Sequence, residues 1–104
     1  MAELKWTEPA LQDLDVIADY IALDKPEAAR AFVKEVFAKV EALQKFPKLG
    51  SIPRQIKDLP YRQLVIAPCR IFYKQEGSKV FILYVMRGEI LFHPDVLNER
   101  DKKR

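Results

Sequence analysis

Three arginines, Arg62, Arg70 and Arg87, stand at the starts or ends of three short apolar runs between Tyr61 and Arg87. Brought together, guanidiniums make a planar fork suited to a phosphate or a carboxylate. Held apart, each is a solvated strand-end charge. His93 is the only imidazole. General acid–base work would need it in a cleft beside a reacting group, and its setting between Ile90-Leu91-Phe92 and Pro94 favours a structural or surface role. Cys69, the only cysteine, lies between Pro68 and Arg70. A nearby arginine can lower a thiol pKa, but a small buried filler at a strand start is the better reading. Tyr61, Tyr73 and Tyr84 fall in the same runs, and Tyr20 lies upstream. Tyrosines on an arginine-bearing sheet can stack on bases, although core packing is their commoner role. There is no Gly-rich phosphate loop, metal-ligand spacing or nucleophile elbow. A stand-alone metabolic enzyme is therefore a poor fit, and neither metal nor cofactor is expected.

The elements that position these residues can be read from breakers and periodicity. Residues 61–67 end at Pro68, 70–75 end at Glu76-Gly77-Ser78, and 79–87 stop at Gly88. The runs are β-branched, aromatic or Leu and too short for stable helices, so they predict three strands. The Gly-centred link makes the last two a hairpin. Upstream, residues 2–6 alternate and predict an added strand with Leu4 and Trp6 on its buried side. Thr7 is a natural N-cap, with Glu8 and Pro9 in the first turn. Leu11, Leu14, Ile17, Ala18 and Ile21 recur at helical spacing, predicting a helix over 8–23. Asp24 is expected to cap a second helix with Pro26 near its start, ending at Phe46-Pro47. Ala29, Phe32, Val33, Val36, Val40 and Leu43 form its apolar face. Two helices joined so tightly must be antiparallel neighbours. Residues 48–60 form a surface connection, 88–94 a short extended piece and 95–100 a helical turn.

The fold class that follows is α+β: a short strand, then an antiparallel αα-hairpin packed on a small, mostly antiparallel twisted sheet. Residues 1–97 are expected as one domain, and 98–104 as a flexible basic tail. Alternation along 79–87 places Phe81, Leu83 and Val85 on one face, with Val80, Ile82, Tyr84 and Met86 on the other. Two helices can cover only one face. The second needs the C-terminal segment, a partner, or both, and both are favoured; a self-dimer satisfies the same requirement.

The net charge of +3 is unevenly spread. Residues 1–46 carry six Lys/Arg against nine Asp/Glu, a balance of −3, whereas 47–104 carry twelve against six, a balance of +6. A basic half suits nucleic acid or an acidic protein, or else is a solubilising surface. No apolar run approaches a membrane span and the opening MAELKWTE lacks a signal-peptide core, so a cytoplasmic protein is expected.

The order of elements resembles the RelE/ParE superfamily of type II toxins. LKWTEPALQDLDVIADYIALDKPEAARAFV looks like its strand followed by "A..DL..I..YI" and a second helix with paired alanines. FPKLGSIP resembles its "FP..G" exit, and LPYRQLVIAPCRIFYKQEGSKVFILYVMRG resembles its "YR...V..YRIFY...G..V.IL.V.RG" core. The likeness covers roughly residues 3–92. It implies a cognate antitoxin whose C-terminal segment wraps the toxin, in a toxin dimer or hetero-oligomer. RelE-like members are ribosome-dependent mRNA endonucleases using a Lys, Arg and Tyr or His cluster. ParE-like members, the plasmid-stabilisation branch, share the fold, lack the cluster and poison DNA gyrase.

In this chain Arg62 falls at one basic position of the nuclease cluster and Arg70 matches the arginine that opens the second sheet strand. Leu64 stands where the nuclease has lysine, Ile90 stands near its second arginine, and no tyrosine follows. The resemblance thus implies a ParE-like gyrase inhibitor acting by protein–protein contact. Arg62, Arg70, Arg87 and residues 88–97 would face the target, while Ile82, Tyr84 and Met86 would meet the antitoxin. The alternatives are a nuclease built from Arg62, Arg70, Arg87 and His93, and a non-toxic relative that only binds its antitoxin.

Overall fold

The computed structural model describes residues 1–88 and 90–104. Strand β1 (Glu3–Trp6) leads into helix α1 (Glu8–Ala22), and helix α2 (Pro26–Glu41) follows. Strands β2 (Arg62–Ile66), β3 (Cys69–Glu76) and β4 (Lys79–Arg87) come next, and helix α3 (Pro94–Lys103) ends the chain. Thr7 holds the N-cap position of α1 in extended geometry but makes no side-chain cap. Its hydroxyl instead donates to the Ile82 carbonyl at 2.7 Å, and its N–H goes to the same oxygen. The start of α1 is thereby tied to β4. Lys25, not Asp24, occupies the N-cap of α2. The Asp24 and Lys25 N–H groups both bond back to Ile21, so the turn closing α1 runs through Asp24. Only the residue before Pro26 is then forced into extended geometry. A 3-10 turn over Ala42–Gln44 extends α2 before Pro47 stops it.

The sheet order is β1-β4-β3-β2, with β1 parallel to β4 and the other pairs antiparallel. This is the expected mostly antiparallel sheet under a helical hairpin. Glu76 pairs with Lys79, and Gly77, alone among the described residues, takes the left-handed conformation, at φ 61°. Gly at the first of two central positions is the requirement of a tight II′ hairpin.

Strict alternation along β4 does not hold. Phe72 pairs with Tyr84 but Tyr73 with Ile82, so Leu83 is an extra residue, a bulge that shifts the pleat by one. As a result Val80, Ile82 and Val85 pack beneath α1 and α2 with Leu14, Phe32, Val36 and Ile71. Leu83 and Met86, with Phe81 and Tyr84 at the margin, pack on the other face with Phe72, Tyr61, Ile56, Phe92 and Leu97. Ile82 therefore does not share a face with Tyr84 and Met86.

The second face is covered by the chain's own C-terminus. In place of a single turn and a flexible basic tail, residues 94–103 form α3, with Leu97 fully buried. Much of its docking is polar. Arg100 is paired with Asp13 of α1, and its second nitrogen reaches the other Asp13 oxygen at 2.9 Å. Asp101 accepts from the Tyr61 hydroxyl at 2.9 Å and from Lys74 at 3.0 Å. Arg104 pairs with Asp101 and Glu76. A charged sequence can thus dock as a helix, because its charges find fixed partners on the sheet and on α1. The expected extended piece after β4 includes Glu89, which lies outside the described residues.

Candidate interaction surface

The three strand-end arginines are held apart. Arg62 pairs across the ladder with Tyr73 on the helix side, and it donates to the Gly50 carbonyl at 2.8 Å, pinning the connection after α2. Arg70 opposes Val65, three register positions along β2 from Arg62, or about 10 Å at strand rise. It points to the opposite face, where it donates to Gln63 at 2.7 Å. Its guanidinium lies over the rings of Phe72 and Phe92, 5.0 and 5.2 Å from their centroids. Arg87 opposes Cys69 and returns to the helix side, 4.4 Å over the Tyr20 ring of α1. The fork that sequence spacing allowed is not formed, because successive strand positions alternate faces and the register puts the arginines at different heights. His93 is exposed at the N-cap of α3 and makes no side-chain cap. Cys69 is buried in the helix-side core, as a filler would be.

A groove does form along β4. The short β1 pairs only with Lys79–Ile82, so the rest of β4 presents a backbone edge beyond the end of β1. Side chains reach over part of it: Arg100 donates to the Leu83 carbonyl at 3.0 Å, and the Val85 N–H donates to Asp13 at 3.0 Å. Between this edge and α1 lies a cleft of about 480 Å³, lined by Val16, Tyr20, Tyr84, Met86, Arg87 and Ile90 among others. Val16 and Tyr20 are 68% and 57% exposed, and Ile90, which lines the same cleft, is exposed as well. Of the residues expected to bind a partner, the groove gathers Tyr84, Met86 and Arg87. Ile82 is fully buried beneath the helices, and Arg62 is turned toward the Gly50 carbonyl. Sequence reasoning missed Val16 and noted Tyr20 only among the tyrosines, not as part of a groove. Their signal was present: they are four apart on α1 and fall outside its buried stripe.

A helical hairpin laid on a four-stranded mixed sheet is an α+β arrangement also seen in a solved structure of a chromosomal ParDE TA system from P. aeruginosa. The two match at a TM-score of 0.71 and 33% identity, over 86% of this chain and 98% of that one. Among curated relatives, Y4kP of Sinorhizobium fredii, named as a candidate toxin, is 41% identical over 86 residues, covering 82% of this chain and 86% of its own. Toxin RelE2 of Caulobacter vibrioides is 32% identical over 79 residues, covering 74% and 85%. Residues 4–92 match the family described as the ParE toxin of the type II toxin-antitoxin system parDE. The chain belongs to that family of type II toxins.

Proposed function

We propose that this toxin inhibits DNA gyrase by protein–protein contact and is neutralised by a cognate antitoxin. The observation that carries the reading is the dispersal of Arg62, Arg70 and Arg87 over two faces and different heights of the sheet. Cleavage of RNA needs charge stabilisation and proton transfer at one phosphate. A contact surface has no such need. Arg70 and Arg87, with residues 88–97, supply the target-facing end of the sheet. The groove between α1 and the open edge of β4 receives an antitoxin segment. Apolar positions at Val16, Tyr20, Tyr84 and Met86 and an adjoining strand edge suit a flexible chain that folds as it binds. The name of the Caulobacter relative, RelE2, favours a ribosome-dependent ribonuclease as the second reading.

The test is purified, antitoxin-free protein with gyrase, relaxed plasmid and ATP. Loss of supercoiling with accumulation of cleaved plasmid is expected, and R87A is expected to weaken it at least about tenfold, or about 1.4 kcal/mol of contact energy. Unchanged supercoiling by a protein folded by circular dichroism would overturn the gyrase reading. Cleavage of mRNA on ribosomes would then establish the second.

A further inference from the structure

The basic half of the sequence divides into two electrically different parts. Near the C-terminus Arg100, Lys103 and Arg104, with Lys74 of β3, meet carboxylates, and exposed Lys102 is the exception. Lys5, Arg30 and Lys39 are likewise in ion pairs. The connection from α2 to β2 differs. Residues 45–62 contain Lys45, Lys48, Arg54, Lys57 and Arg62 against one acid, Asp58. The first four are exposed, and none has a carboxylate partner among the described residues. Arg54 opens a 3-10 turn and Lys57 closes it, a spacing at which side chains eclipse and point the same way. The backbone beneath is fixed. Gly50 donates to the Tyr73 hydroxyl at 2.8 Å and accepts from Arg62 at the same distance, and Ser51 and Gln63 exchange both backbone hydrogen bonds.

We propose that this unpaired basic lobe is a docking surface for the phosphate backbone of duplex DNA. An acidic protein surface carries charges of both signs and is complemented by a mixed pattern of charges. A lobe of cations with a single acid is complementary instead to a uniform row of phosphates. Its exposed apolar residues are Phe46, Leu49 and Ile52. Side chains of that kind serve as wedges against base steps in the DNA minor groove, whereas duplex RNA is met largely through 2′-hydroxyls and phosphates. The surface is separate from the α1–β4 groove, so it does not depend on the gyrase reading.

The experiment measures binding of the purified protein alone to a fluorescent duplex of about 20 base pairs across a salt series starting near 50 mM. Saturable binding is expected, with a log–log salt slope of about −3, as for three to four neutralised phosphates. The variant K48E/R54E/K57E should lose at least about tenfold in affinity, while K34E/K79E, which reverses exposed charges elsewhere, should stay within about twofold. Absence of saturable binding at the lowest salt overturns the proposal. So does an equal loss in both variants, tighter binding to duplex RNA, or polyglutamate competing as well as unlabelled DNA at equal charge. Circular dichroism checks both variants, and the neutral K48Q/R54Q/K57Q must show the same order of effect should the reversed-charge protein not fold.

Discussion

At the scale of single residues, the direction of each side chain in the sheet is set by strand alternation and by one irregularity in it. Arg70 lies in β3 and Arg87 ends the next strand, β4, and one bulged residue, Leu83, decides which face each part of β4 presents. A bulge has no composition signal in this run of β-branched and aromatic residues, so the grouping of Ile82 with Tyr84 and Met86 failed there. Gly50 was legible as a chain breaker and not as a packing position. A Cβ at Gly50 would lie 2.5 Å from the Gln63 carbonyl oxygen and 2.7 Å from the Tyr73 ring. Tyr73 is fully buried, and its hydroxyl both accepts from Gly50 and donates to Pro47 at 2.7 Å. Gly50→Ala must displace backbone or ring and is expected to cost at least about 2 kcal/mol. Tyr73→Phe removes both hydrogen bonds without the clash and should cost about 1–2 kcal/mol. Urea denaturation separates the two: equal stability of G50A and wild type would show that the loop yields freely.

At the scale of elements, the helical hairpin and the strands were legible because their periodicity is local. Helix α3 was not. Its ten residues hold one buried apolar side chain, Leu97, and its docking depends on partners far away in sequence, Asp13 and Lys74 among them. No pattern within 94–103 announces those partners. The Arg100–Asp13 pair has only 23% and 17% of its side chains exposed, and it joins α3, α1 and β4 at one point. Arg100→Ala leaves the Asp13 carboxylate partly buried beside one backbone N–H, and the loss should be about 2 kcal/mol. Amide hydrogen exchange across 94–103 is the appropriate measurement. Faster exchange in α3 with β3 and β4 still protected is expected; unchanged protection would mean that Leu97 alone holds the helix.

At the scale of the whole molecule, the polar network that seats α3 sets limits on pH. Burial pushes the Tyr61 hydroxyl up to about 12, with the hydrogen bond to Asp101 as a further cause. Burial also raises the Asp101 carboxyl, but hydrogen bonds from Arg104, Lys74 and Tyr61 outweigh it and hold the group below its ordinary range. The signs follow from linkage. The Tyr61 contribution is complete below about pH 10 and lost as pH rises toward 12, and the Asp101 contribution is present above about pH 4 and lost in acid. Thermal stability should therefore fall at both limits, and Tyr61→Phe should flatten the alkaline limb; an alkaline limb identical in that variant would place its cause elsewhere. The pairing of β1 with β4 has a different consequence, in the order of synthesis. Thr7 and the Ile82 carbonyl that receives it are 75 residues apart, roughly 4–15 seconds of translation at ordinary elongation rates. By the second half of that interval both helices have been synthesised, with no completed sheet beneath them. A message broken before the codons of β4 yields a chain that cannot close its fold, because β1 and β3 both pair with that strand.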